Sequence, residues 1–201
     1  MISRTAARRL LGSHFETPAA KLLAALGLSP NAVSLLGLIV AGGSAYLLST
    51  DRFWAGGVVL LASGLFDLLD GALARYAGST SRFGALLDST LDRVSETVVL
   101  IGLLVYYLNT DSTGGALLCY LALAGSLMVS YLRARAEGLG IECTVGIMTR
   151  PERVVALGAG LIVGHWWPVA VLAVLAAIAG LTLFTSTQRL FHAWKTLGRE
   201  H

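Results

Sequence analysis

The sequence predicts an all-α integral membrane protein with six transmembrane helices and an N-terminal juxtamembrane amphipathic helix. Of its 201 residues, 55% are hydrophobic and only 13% are charged, about half the charge of a soluble protein. The apolar stretches recur at lengths near the ~20 residues that cross a bilayer. They follow one another without a polar interruption of domain size, so we expect a single membrane domain over residues 1–201.

The first predicted element is a short basic helix over residues 2–14, where apolar residues are interleaved with three arginines. Such a helix lies on the anionic cytoplasmic leaflet rather than crossing the membrane. No apolar segment with a small-residue cleavage site follows it promptly, so we predict no removable signal peptide. The two cysteines, Cys119 in an apolar run and Cys143 in a polar loop, predict neither a disulfide nor a zinc site.

The transmembrane helices are predicted next, beginning with a start signal at Ser29-Pro30-Asn31. The last two spans are separated by the aromatic turn 165–168, which suits the membrane interface. The six predicted spans cover residues 32–49, 53–74, 86–108, 115–137, 152–167 and 168–193.

Basic residues predict the orientation of these spans. With six spans and both ends on one side, Arg52 alone among the 15 Lys and Arg residues falls on the opposite side. The positive-inside rule therefore places the other basic residues at the cytoplasmic face. We expect a multi-pass protein in the cell membrane of a prokaryote, with the aspartates described next facing the cytoplasm.

Four aspartates are predicted to share one cleft. Asp67 and Asp70 lie on one face of a helix, because residues three and four apart are neighbours on a helix surface. Gly84, Asp88 and Asp92 follow one another at four-residue spacing on the next helix. Small residues on both stripes allow the two backbones to approach closely.

These carboxylates predict a metal site. A carboxylate at membrane depth costs roughly 2.5–3.5 kcal/mol, so four unpaired ones would cost on the order of 10 kcal/mol. One or two divalent cations would offset both this cost and the repulsion between like charges. Oxygen ligands without a nearby His or Cys favour Mg²⁺, Mn²⁺ or Ca²⁺ over zinc. A set of solvated helix-end aspartates is the alternative.

Several arginines are predicted at the same membrane level as the aspartates. Arg133 and Arg135 end the fourth span, Arg153 begins the fifth, and Arg189 lies near the end of the sixth. A planar guanidinium suits phosphate because it donates two parallel charge-assisted hydrogen bonds. The alternatives are anchoring to lipid headgroups and, for Arg153, a structural pair with a nearby Glu.

The pattern Asp67-x2-Asp70-Gly71-x2-Ala74-Arg75-x8-Gly84-x3-Asp88-x3-Asp92 resembles the signature of the CDP-alcohol phosphotransferases at every position. The stretches 130–138, 150–153 and 188–190 extend the resemblance to the phosphatidylinositol-phosphate synthases of that family. The resemblance implies transfer of a phosphatidyl group from CDP-diacylglycerol to an alcohol, with release of CMP. It also implies a homodimer.

The resemblance also implies roles for individual residues. Asp67, Asp70 and Asp88 would bind metal (Mg²⁺ or Mn²⁺, two ions), and Asp92 would be a further ligand or the base that accepts the proton of the attacking hydroxyl. The residues implied to bind the CDP-lipid are Asn31, Ser34, Asp70, Gly71, Ala74, Arg75, Ser81 and Gly84. The residues implied to bind an acceptor phosphate are Ser130, Arg133, Arg135, Arg153 and Arg189, with Arg133 standing where Lys is common.

The acceptor is the open part of this interpretation. A basic pocket fits a phosphorylated polyol, which the resemblance indicates is inositol phosphate, but glycerol 3-phosphate would suit the same pocket. No Ser-His-Asp or Cys-His arrangement is present, so we expect direct transfer without a covalent enzyme intermediate. We expect membrane lipid but no nucleic acid as a partner. From another functional class, six helices with inward carboxylates could form a divalent-cation transporter.

Overall fold

The computed structural model describes residues 17–78 and 81–198, and every regular element in those ranges is an α-helix. The predicted interfacial helix at residues 2–14 lies outside the described residues. A helix that the sequence did not predict, α1, precedes the first span. The helices are α1 (Thr17–Ala25), α2 (Pro30–Ser49), α3 (Phe53–Tyr76), α4 (Arg82–Asn109), α5 (Thr113–Glu137), α6 (Arg150–Gly164) and α7 (Val169–Leu197).

Helix ends follow local sequence signals. The hydroxyl of Ser29 accepts a hydrogen bond from the Ala32 amide at the start of α2, with Pro30 in the first turn, which confirms the predicted start. Gly27 takes a φ of 73° just after α1, a left-handed conformation that glycine adopts without strain. The predicted aromatic turn separates α6 from α7, although α6 ends at Gly164, three residues before the predicted limit of 167.

Among the described residues, four helices are long and apolar enough to cross a membrane: α2, α3, α5 and α7. The other two predicted spans correspond to helices that lack one of these properties. α4 carries four charged residues in its N-terminal and central turns: Asp88, Asp92, Arg93 and Glu96. α6 has 15 residues, and at ~1.5 Å per residue it is shorter than a ~30 Å hydrocarbon core. The chain is an integral membrane protein, and the count of six spans stays a prediction.

Some packed pairs of helices are neighbours in sequence, and others are far apart in sequence. α2 packs on α3 and α4, α3 on α6, α5 on α4 and α7, and α6 on α7. The core between them contains fully buried residues from several helices, such as Leu48, Leu103, Leu161 and Leu175. Close approach requires glycine at position 102, where an added Cβ would lie 2.4 Å from the Ala45 carbonyl oxygen. This packing fixes α4 against α2.

Three helix ends meet at one end of the bundle, and they carry the polar residues singled out above. The last turns of α3 carry two aspartates, the first turns of α4 carry two more, and the start of α6 carries two arginines. Ion pairs from α6 reach both α3 and α4. The fold therefore brings together residues that are separated by more than 80 positions in the chain.

Candidate active site

The four predicted aspartates lie close enough to act on one another electrostatically. Asp70 interacts with Asp67 and Asp88, and Asp92 interacts with all three of the others. Asp70 is the most enclosed, with 4% of its surface exposed, and it accepts a 2.5 Å hydrogen bond from the Ser34 hydroxyl on α2. The structure thus gathers negative charge from α3 and α4 at a single place.

A residue that the sequence analysis did not assign to the site, Arg150, bridges this cluster. Its Nη1 lies 2.6 Å from a carboxylate oxygen of Asp67 and 2.7 Å from one of Asp92. Within the described ranges, no three His, Cys, Asp or Glu side chains surround a common point as metal ligands do. The guanidinium occupies the space between the two carboxylates. The signal available in the sequence was its position in Arg150-Pro151-Glu152-Arg153, three residues before Arg153.

The donor set nevertheless fits a divalent cation. All four side chains offer carboxylate oxygens, which Mg²⁺ and Mn²⁺ prefer. The bridging guanidinium demonstrates that the cluster accepts a positive group between Asp67 and Asp92. Asp70 and Asp88 make no ion pair among the described residues, and the Ser34 hydroxyl donates to only one of the two Asp70 oxygens.

One cleft beside the cluster is formed by α2, the end of α3 and the start of α4. An added Cβ at Gly84 would lie 3.0 Å from the Ser81 hydroxyl and 3.6 Å from Asn31, so glycine keeps this wall open. Ser81 caps α4 by accepting a hydrogen bond from the Gly84 amide. All eight residues predicted to bind the CDP-lipid line this nucleotide-side cleft: Asn31, Ser34, Asp70, Gly71, Ala74, Arg75, Ser81 and Gly84, together with Pro30, Ala85 and Asp88.

A second, larger cleft lies on the other side of the cluster, between α4, α5, α6 and α7. It encloses about 1240 Å³, including its open mouth. Four of the five residues predicted to bind the acceptor phosphate line this acceptor-side cleft: Ser130, Arg133, Arg153 and Arg189, together with Asp88, Asp92, Glu96 and Arg150. The fifth, Arg135, is exposed and is not among the residues that line it.

The arginines of the acceptor-side cleft already have protein partners. Arg153 is 2% exposed and makes a bidentate pair with Glu96, at 2.6 and 2.7 Å. Arg189 is 3% exposed and donates to the carbonyls of Val145 and Val129.

Arg133 is half exposed and pairs with Glu137 one helical turn away. The sequence analysis allowed a structural pair of Arg153 with a nearby Glu without naming it, and Glu96 is that partner, one turn beyond Asp88 and Asp92 on the same stripe.

An apolar groove runs along the outside of α3 and α6 and ends at the charged cluster. Val58, Leu61, Leu65, Leu68 and Val155 form its apolar walls. Asp67 and Arg150 close its polar end. The groove thus connects the outer, apolar surface of the helices to the carboxylates.

Comparison with known proteins identifies the family. The profile of the family described as CDP-alcohol phosphatidyltransferase matches residues 27–197. The chain is 40% identical to the archaetidylinositol phosphate synthase of Methanothermobacter thermautotrophicus, over 86% of each chain. It is 34% identical to the phosphatidylinositol phosphate synthase of Mycobacterium tuberculosis, over 98% of this chain and 91% of that one.

Solved structures show the same fold. The crystal structure of the M. tuberculosis phosphatidylinositol phosphate synthase with CDP-DAG bound superposes with a TM-score of 0.83, covering 90% of this chain and 94% of that one at 34% identity. The structure of the same enzyme with manganese and citrate also gives a TM-score of 0.83, covering 90% of this chain and 89% of that one. This chain is therefore a member of the CDP-alcohol phosphatidyltransferase family.

Proposed function

We propose that this protein transfers the phosphatidyl group of CDP-diacylglycerol to the hydroxyl of a phosphorylated polyol, inositol phosphate, and releases CMP. The observation that carries the proposal is the position of Asp88, which lines both clefts. A donor bound in one cleft and an acceptor bound in the other would meet at this carboxylate. Asp92 lies on the acceptor side only, where a base that acts on the acceptor is needed.

The nucleotide-side cleft is assigned to the cytidine diphosphate. Gly71 and Ala74 offer room for the cytidine, and Arg75 offers a cation for its phosphates. The apolar groove that ends at Asp67 suits the acyl chains, which would enter sideways from the lipid. The M. tuberculosis relative binds CDP-DAG, which supports the same donor here.

The carboxylates are assigned to metal binding and base catalysis. Asp67, Asp70 and Asp88, with Asp92, would hold Mg²⁺ or Mn²⁺ as two ions, and the manganese bound by the relative supports this assignment. Such ions neutralise the charge of the diphosphate and of the leaving group. Asp92 accepts the proton of the acceptor hydroxyl, and the oxygen of that hydroxyl attacks the phosphorus of the phosphatidyl group. The bond from that phosphorus to the CMP oxygen breaks, and CMP leaves with the electron pair.

The acceptor-side cleft is assigned to a phosphorylated acceptor. Ser130 and the half-exposed Arg133 contribute accessible donors. Arg189 uses its Nε and Nη1 for carbonyls, and its Nη2 has no recorded partner in residues 17–78 and 81–198. Arg153 lines the same cleft, but its charge is offset by the pair with Glu96. Arg135 stays a predicted contributor, and the relatives named as inositol phosphate synthases support the choice of acceptor.

The membrane arrangement is part of the proposal. α4 and α6 would cross together with the four longer helices, giving six spans with the site at the cytoplasmic face of a prokaryotic cell membrane. The charged half of α4 would then lie among other helices rather than in lipid, because polar side chains in membranes face the bundle interior. A homodimer, as the family resemblance implies, completes the arrangement.

The test is an acceptor panel with purified protein and radiolabelled CDP-diacylglycerol in the presence of Mg²⁺ or Mn²⁺. We expect CMP release with inositol phosphate, and little with serine or free inositol. Faster release with glycerol 3-phosphate would change the acceptor and leave the reaction class intact. No release with any alcohol would contradict the proposed reaction.

A further inference from the structure

Two arginines in the first turn of α6 are held in different ways. Arg153 uses three of its nitrogens, two on Glu96 and one on the Met148 carbonyl, which satisfies a guanidinium well. Arg150 makes both of its ion pairs through the single nitrogen Nη1, and its Nε is buried without a partner. An unpartnered buried donor is costly, so Arg150 is the less firmly held of the two.

The surroundings of Arg150 leave its side chain room to move. It lines the acceptor-side cleft and the apolar groove, and both are open to solvent or lipid. About 22% of its side-chain surface is exposed, compared with 2% for Arg153. A shift away from the aspartates would therefore move the guanidinium into open space rather than into another side chain.

We propose that Arg150 competes with the divalent cation for Asp67 and Asp92, and that cation binding releases its guanidinium into the acceptor-side cleft to receive the acceptor phosphate. This inference rests on the proposed function, which makes those two carboxylates metal ligands. A cation bound by both would lie within a few ångströms of the guanidinium, and like charges at such distances repel strongly. Arg150 is thus a positioning residue that links the metal site to the acceptor site.

A released Arg150 would change the net charge of the acceptor-side cleft. Arg133 pairs with Glu137 and Arg153 pairs with Glu96, so the positive charge of each is offset. Moving Arg150 off Asp67 and Asp92 adds an uncompensated cation to the same wall. A phosphate dianion would then bind better to the protein with metal than without it. By linkage, the acceptor would strengthen metal binding by the same factor.

The first test measures Mn²⁺ affinity by electron paramagnetic resonance of the free ion, with the protein in lipid nanodiscs. Arg150→Gln removes the competing charge, so we expect Mn²⁺ to bind at least roughly 10-fold more tightly, the equivalent of one charged hydrogen bond. Arg52→Gln, at the exposed start of α3 with no side-chain cap, is the matched control and should leave the affinity unchanged. Unchanged or weaker binding to Arg150→Gln would overturn the competition.

The second test uses the unaltered protein, so it holds even if the variant does not fold. Phenylglyoxal modifies accessible arginines. Mass spectrometry of the segment 149–153 reports the extent of modification at Arg150 and at Arg153 in the same sample. We expect Mn²⁺ to accelerate modification of Arg150 and to leave the buried Arg153 unmodified. A rate at Arg150 that Mn²⁺ leaves unchanged or lowers would contradict the release.

The third test concerns the acceptor half of the inference. Mn²⁺ should strengthen the binding of inositol 1-phosphate more in the unaltered protein than in Arg150→Gln. Equal strengthening in both would remove the phosphate-receiving role.

Failure of the proposed function would give a different result from failure of this inference alone. If Asp70→Ala leaves Mn²⁺ binding intact, the metal is not at the cluster and both proposals fall. If Asp70→Ala abolishes binding but Arg150→Gln does not tighten it, only this inference falls.

Discussion

The two clefts that share Asp88 are built from different parts of the chain. The nucleotide-side cleft is formed by residues 30–88, from three helices that follow one another in sequence. The acceptor-side cleft takes its side chains from α4, α5, α6 and α7, between residues 85 and 189. The first presents small residues such as Gly71 and Ala74 beside its polar groups, whereas the arginines of the second bond to protein groups. Local spacing can specify the first, but tertiary packing must specify the second.

The largest effect is expected where the clefts meet. Asp88→Ala removes a carboxylate that lines both, so we expect turnover to fall by more than ~10⁴-fold, beyond the range of a single general base. Asp67→Ala and Asp70→Ala should be similarly inactive if they are metal ligands. CMP release from CDP-diacylglycerol at saturating substrates measures the loss. Full turnover in these variants, or after exhaustive chelation, would refute the metal assignment.

The next effect separates the acceptor side from the donor side. Asp92→Asn keeps the size and one acceptor oxygen but cannot accept a proton at neutral pH. We expect turnover to drop by at least ~10²-fold while CDP-diacylglycerol still binds within a few-fold, because Asp92 does not line the nucleotide-side cleft. Binding isotherms report the affinity for the donor, and single-turnover rates report the chemical step. Comparing the two separates a base from a ligand. Loss of donor binding together with turnover would make Asp92 chiefly a ligand.

A smaller effect is confined to the acceptor. Arg133→Ala removes an accessible guanidinium, so the KM for the phosphorylated acceptor should rise roughly 10- to 150-fold. The KM for CDP-diacylglycerol should barely change. Arg135→Ala is the matched comparison, because Arg135 is two residues away and is not among the cleft's lining residues. An equal effect of the two variants would show that Arg135 also reaches the acceptor.

The smallest effect is confined to the donor. Gly84→Ala places a Cβ 3.0 Å from the Ser81 hydroxyl, so that wall must shift by a few tenths of an ångström. We expect the KM for CDP-diacylglycerol to rise by up to ~10-fold, about 1.4 kcal/mol, with the acceptor KM unchanged. Gly114→Ala is the control, since an added Cβ there meets nothing within 4 Å. A rise in the acceptor KM of Gly84→Ala would contradict the binding of donor and acceptor in separate clefts.

The comparison also explains what the sequence could predict. Helical spacing together with the family signature sufficed for the nucleotide-side cleft, because its residues lie on contiguous helices whose faces follow from periodicity. The four helices of spanning length among the described residues were predictable because each apolar run ends at a polar or glycine-containing turn. Ser29 and Pro30 are an example, since they mark the start of α2 locally.

The partners of the arginines were not predictable in the same way. Arg150 bridges Asp67, 83 positions earlier, and Arg153 pairs with Glu96, 57 positions earlier. Such pairs depend on how α6 packs against α3 and α4, which periodicity does not reveal. The contacts of Arg189 also decide which arginine is the better probe of the acceptor. Its two bonds to main-chain carbonyls mean that Arg189→Ala would disturb the fold, so Arg133 is the cleaner probe of the acceptor.

The most direct measurement is the stoichiometry of the reaction catalysed by the unaltered protein. With labelled CDP-diacylglycerol, inositol phosphate and Mg²⁺, two clefts that meet at one carboxylate cluster should yield CMP and the phosphatidyl product in a 1:1 ratio. Omitting the acceptor should stop CMP release, because the phosphatidyl group passes directly between the clefts. A burst of CMP without acceptor, or a phosphatidyl group bound covalently to the protein, would contradict this account.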